Sequence, residues 1–202
     1  MSMQGLHELQ TVLSRMLQVQ VNGELKMREK GTSGTLKNVT LTGLNLDDVT
    51  LKGDQSKITF FKKGYAGSCC DYIVLTTSQD KCVAVFIELK TTVPESDHNA
   101  THPTIQYDGR YEHYVEQLSG GSCLFSYLDN VLEIFMGCTA LQKYQRYYCV
   151  LYENVQAPPT ALSLPITKTI TKTLIPDSNP ATKAKLIQVQ NGCKISLKEL
   201  LK

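Results

Sequence analysis

The stretch Cys69-Cys70-Asp71-Tyr72-Ile73-Val74-Leu75-Thr76-Thr77-Ser78-Gln79-Asp80-Lys81-Cys82-Val83-Ala84-Val85-Phe86-Ile87-Glu88-Leu89-Lys90-Thr91-Thr92 decides the fold. Two runs rich in β-branched and aromatic residues flank the polar tetrapeptide Ser78 to Lys81, which is the pattern of a β-hairpin. Folding about the bond between Gln79 and Asp80, as a two- or four-residue loop does, pairs Ser78 with Lys81, Val74 with Val85 and Asp71 with Glu88. The expected strands are Cys70 to Thr77 and Cys82 to Thr91. Directly opposed residues have Cβ atoms roughly 4.5 to 5.5 Å apart, so the two carboxylates meet across the ladder and need a compensating cation. Side chains alternate along a strand, so Glu88 and Lys90 project from one face while Leu89 points to the other. Asp71, Glu88 and Lys90 therefore share one surface.

The neighbours raise the cost of that arrangement. Ile73, Leu75, Ala84 and Phe86 accompany the charged face, and Val74, Val83, Val85 and Ile87 line the opposite one. Strands that are apolar on both faces are central strands covered on both sides. A buried ion costs several kcal/mol unless it is paired or bound to a metal. Two readings follow from the residues alone: a structural ion pair at a solvated strand end, or a functional site.

Asp71, a hairpin, and then Glu88-Leu89-Lys90 resembles the active-site signature of the PD-(D/E)XK nuclease superfamily. The Asp opens one strand, the Glu-x-Lys closes the next, and the hairpin brings them together. Cys70 stands where the name has Pro, a position that varies widely in such families. The resemblance implies an α/β fold with a restriction-endonuclease-like αβββαβ core, a central mixed sheet flanked by helices. It implies a nuclease that hydrolyses phosphodiester bonds with Mg²⁺, for which Mn²⁺ substitutes. Asp71 and Glu88 would hold the metal, aided by the backbone carbonyl of Leu89, and Lys90 would act on the water and the phosphate. The implied partner is nucleic acid, DNA before RNA, met as a homodimer or within a larger complex, in defence, restriction or repair. The alternative is a non-catalytic nucleic-acid- or protein-binding module that has kept the fold; its mark would be a missing Asp, Glu or Lys, and none is missing.

The 202 residues, 42% of them apolar, can bury a full core, and the length fits one domain over 1–202 with residues 24–57 and 155–202 as peripheral decorations. A net charge of +2, from 21 basic against 19 acidic residues, gives no whole-molecule basic field, so nucleic acid would have to meet a local patch. The seven cysteines are odd in number and scattered, without zinc-type spacing, and read as reduced thiols. A thiol enzyme built on Cys69-Cys70 lacks a basic partner. No run of about 20 apolar residues is available to span a membrane, and the start of the chain is unlike a signal peptide, so the expected location is cytoplasmic, or nuclear in a eukaryote.

Along the chain, Leu6, Leu9, Leu13, Met16 and Leu17 form an amphipathic stripe, which predicts a first helix over residues 4 to 20. In the resembled superfamily a first-helix acid often leans into the metal site, which makes Glu8 a candidate ligand; a rim carboxylate near a helix start is the alternative. Residues 24 to 37 read as a solvated basic loop, 39 to 53 as short strands or turns at an edge, and Ile58 to Phe61 as the first core strand. Pro94 to Pro103, with His98 and His102, reads as a substrate-facing loop. A helical pattern beginning near Gly109 carries Tyr111, Tyr114, Val115 and Leu118, is interrupted at Gly120-Gly121, and resumes with Cys123, Leu124 and Leu128. Superfamily members often aim a Gln or Lys from this helix at the site, and Gln117 is the matching residue; an exposed amide is the alternative. Tyr147 to Tyr152 reads as a core strand, and Ile166 to Leu174 as an edge strand guarded by Lys168 and Lys172. Leu186 to Val189, the Asn191-Gly192 turn and Lys194 to Ser196 read as a hairpin, with a short helix after the N-cap Ser196.

Overall fold

The computed structural model describes residues 20–29, 34–53, 69–91, 93, 113–137, 141–153, 169–175 and 182–202. It is an α/β protein. The central strands are β4 (Tyr72–Ser78) and β5 (Lys81–Lys90), antiparallel, in the register that pairs Ser78 with Lys81, Val74 with Val85 and Tyr72 with Ile87. Gln79 and Asp80 form the turn, with φ of 49° and 61°. Positive φ at both central residues matches the right-handed twist of the flanking strands, and this sets the register. Asp71 lies one residue before β4, so the carboxylate pair sits where the backbone ladder stops.

The other elements are β1 (Leu25–Met27), β2 (Val39–Thr42), β3 (Val49–Lys52), α1 (His113–Met136), β6 (Gln145–Tyr152), β7 (Thr169–Ile175), β8 (Thr182–Gln188), β9 (Lys194–Ser196) and α2 (Leu197–Leu201). One mixed sheet of six strands has the order β3-β4-β5-β6-β8-β7, and a second of three has the order β1-β2-β9. β5 is antiparallel to β4 and parallel to β6, and β6 is parallel to β8. The connection from β5 to its parallel neighbour contains α1, as a parallel pair requires a crossover.

The large sheet is covered on both faces. Ile73, Leu75 and Phe86 pack with Val115, Leu118, Phe125 and Leu128 of α1 in one apolar core. Val74, Val85, Ile87 and Leu89 pack with Leu25, Met27, Val39, Leu41 and Ile195 of the small sheet in another. Hence β4 and β5 are apolar on both faces, and Asp71, Glu88 and Lys90, by alternation, lie on the α1 side.

Several expectations are corrected. Residues 24–37 are not simply a solvated loop: β1 lies within them, and Leu25, Met27 and Leu36 are fully buried. Of the apolar repeats of 39 to 53, β3 is a short strand at the edge of the large sheet, as expected, whereas β2 is the middle strand of the small sheet. The hairpin expected over Leu186 to Ser196 does not form. β8 already has β6 and β7 as neighbours, so after the turn at Gly192 (φ 87°) the chain changes layer and β9 pairs with β2 in parallel. The C-terminal region is not only peripheral, since Leu186 and Leu200 are fully buried. β7 is at the edge of the large sheet, as its sequence suggested. Ser196 caps α2 reciprocally with Glu199. The helix expected over residues 4 to 20, except for Gln20, which is not helical, the strand Ile58 to Phe61, the loop carrying His98 and His102, and Lys168 lie outside the described residues.

The helix does not break at Gly120-Gly121. A Cβ on Gly121 would stand 2.5 Å from Cys70 Sγ and 3.2 Å from Phe86 Cδ1, so the glycine lets α1 settle onto the sheet beside the residue that precedes Asp71. Ala in a helix interior is ordinarily better than Gly by about 1 kcal/mol. Gly121→Ala is expected to reverse that sign and destabilise by roughly 1–3 kcal/mol through overpacking. Urea denaturation measures it; a gain in stability would show that Cys70 and Phe86 yield without cost.

Candidate functional site

Where β4 ends, two side chains continue its ladder. The Asp71 N–H donates to Glu88 Oε2 at 3.1 Å, and the Leu89 N–H donates to Asp71 Oδ2 at 2.9 Å. Each carboxylate thereby occupies a place that a backbone carbonyl would otherwise fill. Both are buried, Asp71 at 3% and Glu88 at 1% exposure. Lys90 Nζ is 2.8 Å from Glu88 Oε1 and donates to Gln117 Oε1 of α1 at 2.6 Å.

The structure thus brings together Asp71, Glu88, Lys90 and Gln117. Gln117 points to the site rather than to bulk solvent, because α1 crosses the face from which Lys90 rises. Glu8 lies outside the described residues. Leu89 presents its N–H to Asp71, whereas the carbonyl of Lys90 accepts from the Glu153 N–H at 3.1 Å on the β6 side. Successive residues of a strand turn their backbone groups to opposite edges. The Leu89 carbonyl therefore faces the edge that β4 has vacated, on the same side as the Asp71 carboxylate.

Burial, and next the charge of Asp71, hold the Glu88 carboxyl well above the usual carboxylate range, and Lys90 offsets this only in part. Two buried carboxyl groups side by side, with Glu88 reluctant to ionise, fit a divalent cation, which would relieve the cost of charging Glu88. Among the described residues no group of three or more His, Cys, Asp and Glu side chains could hold a metal. An ion here would be held by the two carboxylates, the Leu89 carbonyl and water, a set that suits Mg²⁺. Burial foremost, and then Cys69, Glu88 and Asp71, push the Cys70 thiol up. It stays protonated, which counts against thiolate chemistry at this position.

Glu29 and Thr91, which no sequence pattern singles out, adjoin the site. Glu29 Oε1 accepts from the Thr91 N–H at 3.1 Å and Glu29 Oε2 from the Thr91 hydroxyl at 2.6 Å. Glu29 belongs to a stretch without periodicity, where no pattern separates it from other surface acids. Compared with protein-family models, with curated proteins and with solved structures, the chain matches none.

The raised pKa has a sign. As pH rises past 4.5, the ordinary value for a glutamate, the unfolded chain releases the Glu88 proton while the folded protein retains it. Folded stability contributed by this residue is therefore lost between that pH and the folded pKa. Glu88→Gln has no such titration. In EDTA, its melting temperature relative to wild type is expected to improve steadily from mildly acidic to neutral pH. A difference that does not change with pH would show that Glu88 ionises normally.

Proposed function

We propose that the protein is a metal-dependent nuclease that hydrolyses phosphodiester bonds of nucleic acid. The observation that carries this reading is the buried pair Asp71 and Glu88, each receiving a backbone N–H, with Lys90 held at its rim between Glu88 and Gln117. The strand order supports it: three antiparallel strands β3, β4 and β5, a helix, and β6 parallel to β5, is the βββαβ portion of the core that the superfamily resemblance implies. No helix among the described residues is long and apolar enough to cross a membrane.

When bound, Mg²⁺ supplies Lewis-acid activation of water and neutralises charge at the phosphate. Asp71 and Glu88 would hold it with the Leu89 carbonyl. Lys90, whose side chain is 22% exposed, would stabilise with its ammonium the negative charge that develops on the phosphoryl oxygens. Gln117 accepts from the same ammonium and fixes its direction, so that it is oriented before substrate arrives.

Asp71→Ala and Glu88→Ala are expected to abolish Mg²⁺-dependent cleavage of labelled single- and double-stranded DNA and RNA. Lys90→Ala is expected to bind Mg²⁺ normally and to lose roughly 10²- to 10³-fold in turnover. All three should retain nucleic-acid binding. Cleavage that persists in EDTA, or that Lys90→Ala leaves unchanged, would place the chemistry elsewhere. Binding without cleavage by the wild type would make the protein a recognition module on this fold.

A further inference from the structure

Beyond Ile87, which pairs with Tyr72, β5 has no paired strand on its β4 edge among the described residues. Its alternate N–H groups at that edge belong to Leu89 and Thr91, the two residues that flank Lys90. Both are captured by carboxylates: Leu89 by Asp71 at 2.9 Å, and Thr91 by Glu29 at 3.1 Å. Glu29 thus extends the substitution that Asp71 begins, from a point 62 residues away in the chain.

The Glu29 carboxylate is built into place. Its Oε2 also accepts from the Leu36 N–H at 3.2 Å, and the segment carrying Leu36 folds over it. A Cβ on Gly34 would stand 2.6 Å from Glu29 Cδ and 2.7 Å from Oε2, so the absence of a side chain there lets the loop close on the carboxylate. The Thr91 hydroxyl, besides donating to Glu29, accepts from the Thr35 N–H at 2.8 Å. The Thr35 hydroxyl in turn reaches Glu153 Oε2 at 2.9 Å, and the Glu153 N–H holds the Lys90 carbonyl. The backbone of Lys90 is consequently held at both neighbours and at its own carbonyl.

We infer that Glu29 is a positioning residue for Lys90: by fixing Thr91 it sets the direction in which the Lys90 ammonium leaves the end of β5. This rests on the nuclease reading above. The Glu29 carboxylate bonds to Thr91 and Leu36, beside Lys90 in the chain rather than at its ammonium. Its removal therefore affects the orientation of Lys90 and leaves metal binding intact.

The test is a double-mutant cycle between Glu29→Ala and Lys90→Ala, with amide hydrogen exchange as an independent readout. Glu29→Ala is expected to speed exchange at Leu89 and Thr91 without changing the centre of β5. It should lower kcat by roughly tenfold to a hundredfold, the cost of a small misplacement of a catalytic group, while leaving KM and Mg²⁺ affinity unchanged. In the Lys90→Ala background the same substitution should cost nothing further, because its effect passes through the lysine. Thr91→Val, which deletes only the hydroxyl, should give a smaller loss of the same kind and covers the case in which Glu29→Ala fails to fold. An equal loss in both backgrounds, or unchanged exchange at Thr91 in a protein that cleaves, overturns the inference alone. Absence of cleavage by the wild type overturns the nuclease reading and with it any role of Glu29 in turnover.

Discussion

The structure depends on the exchange of hydrogen bonds between Asp71 and the end of β5. The Asp71 N–H reaches Glu88, the Asp71 carboxylate receives Leu89, and the ladder of the hairpin runs one step past the end of β4 on side-chain oxygens. These two backbone hydrogen bonds offset part of the cost of burying the two carboxyl groups. A slip of one residue between β4 and β5 would set Asp71 opposite Ile87 or Leu89 and leave the two carboxylates on opposite faces of the sheet. The left-handed turn at Gln79 and Asp80 therefore fixes the chemistry as well as the topology.

Electrostatics then divides the site into a rim and an interior. Glu88 is buried beside another carboxylate and clings to its proton, while Lys90, with one ammonium shared between Glu88 and Gln117, is partly exposed. The interior is costly to charge without a cation, and the rim already carries one. Of the three charged side chains, Lys90 is the one that solvent reaches, and the two carboxylates lie behind it.

Much of this was legible in the sequence, because the hairpin signal is local. Period-two apolar runs and the polar tetrapeptide gave the pairing of Asp71 with Glu88, and the helical spacing of Tyr114, Val115 and Leu118 put Gln117 on an element that crosses the same face. Capping chemistry gave Ser196 its role. What the sequence hid was non-local. Leu25, Met27 and Leu36 are too sparse among polar residues to announce a strand and a buried anchor, yet tertiary packing buries them completely. The Asn191-Gly192 turn was visible, but the neighbour each flanking strand would choose was not: β8 was already paired on both edges, so β9 crossed to the small sheet. Gly121 looked like a helix breaker and is a spacer, a distinction that only the proximity of Cys70 makes.

The position of β5, antiparallel to one neighbour and parallel to the other, also ranks the contacts of the site by the length of chain that each must close. The contacts that join Asp71 to Glu88 and Leu89 span 17 and 18 residues and close with a hairpin, an event of microseconds. Joining Lys90 to Gln117 spans 27 residues and awaits the docking of α1, Glu29 meets Thr91 across 62, and Thr35 meets Glu153 across 118. Loop-closure entropy rises with each of these separations. By loop-closure entropy alone, the two carboxyl groups are the least costly of these partners to bring together, and the contacts that orient the lysine beside them cost more.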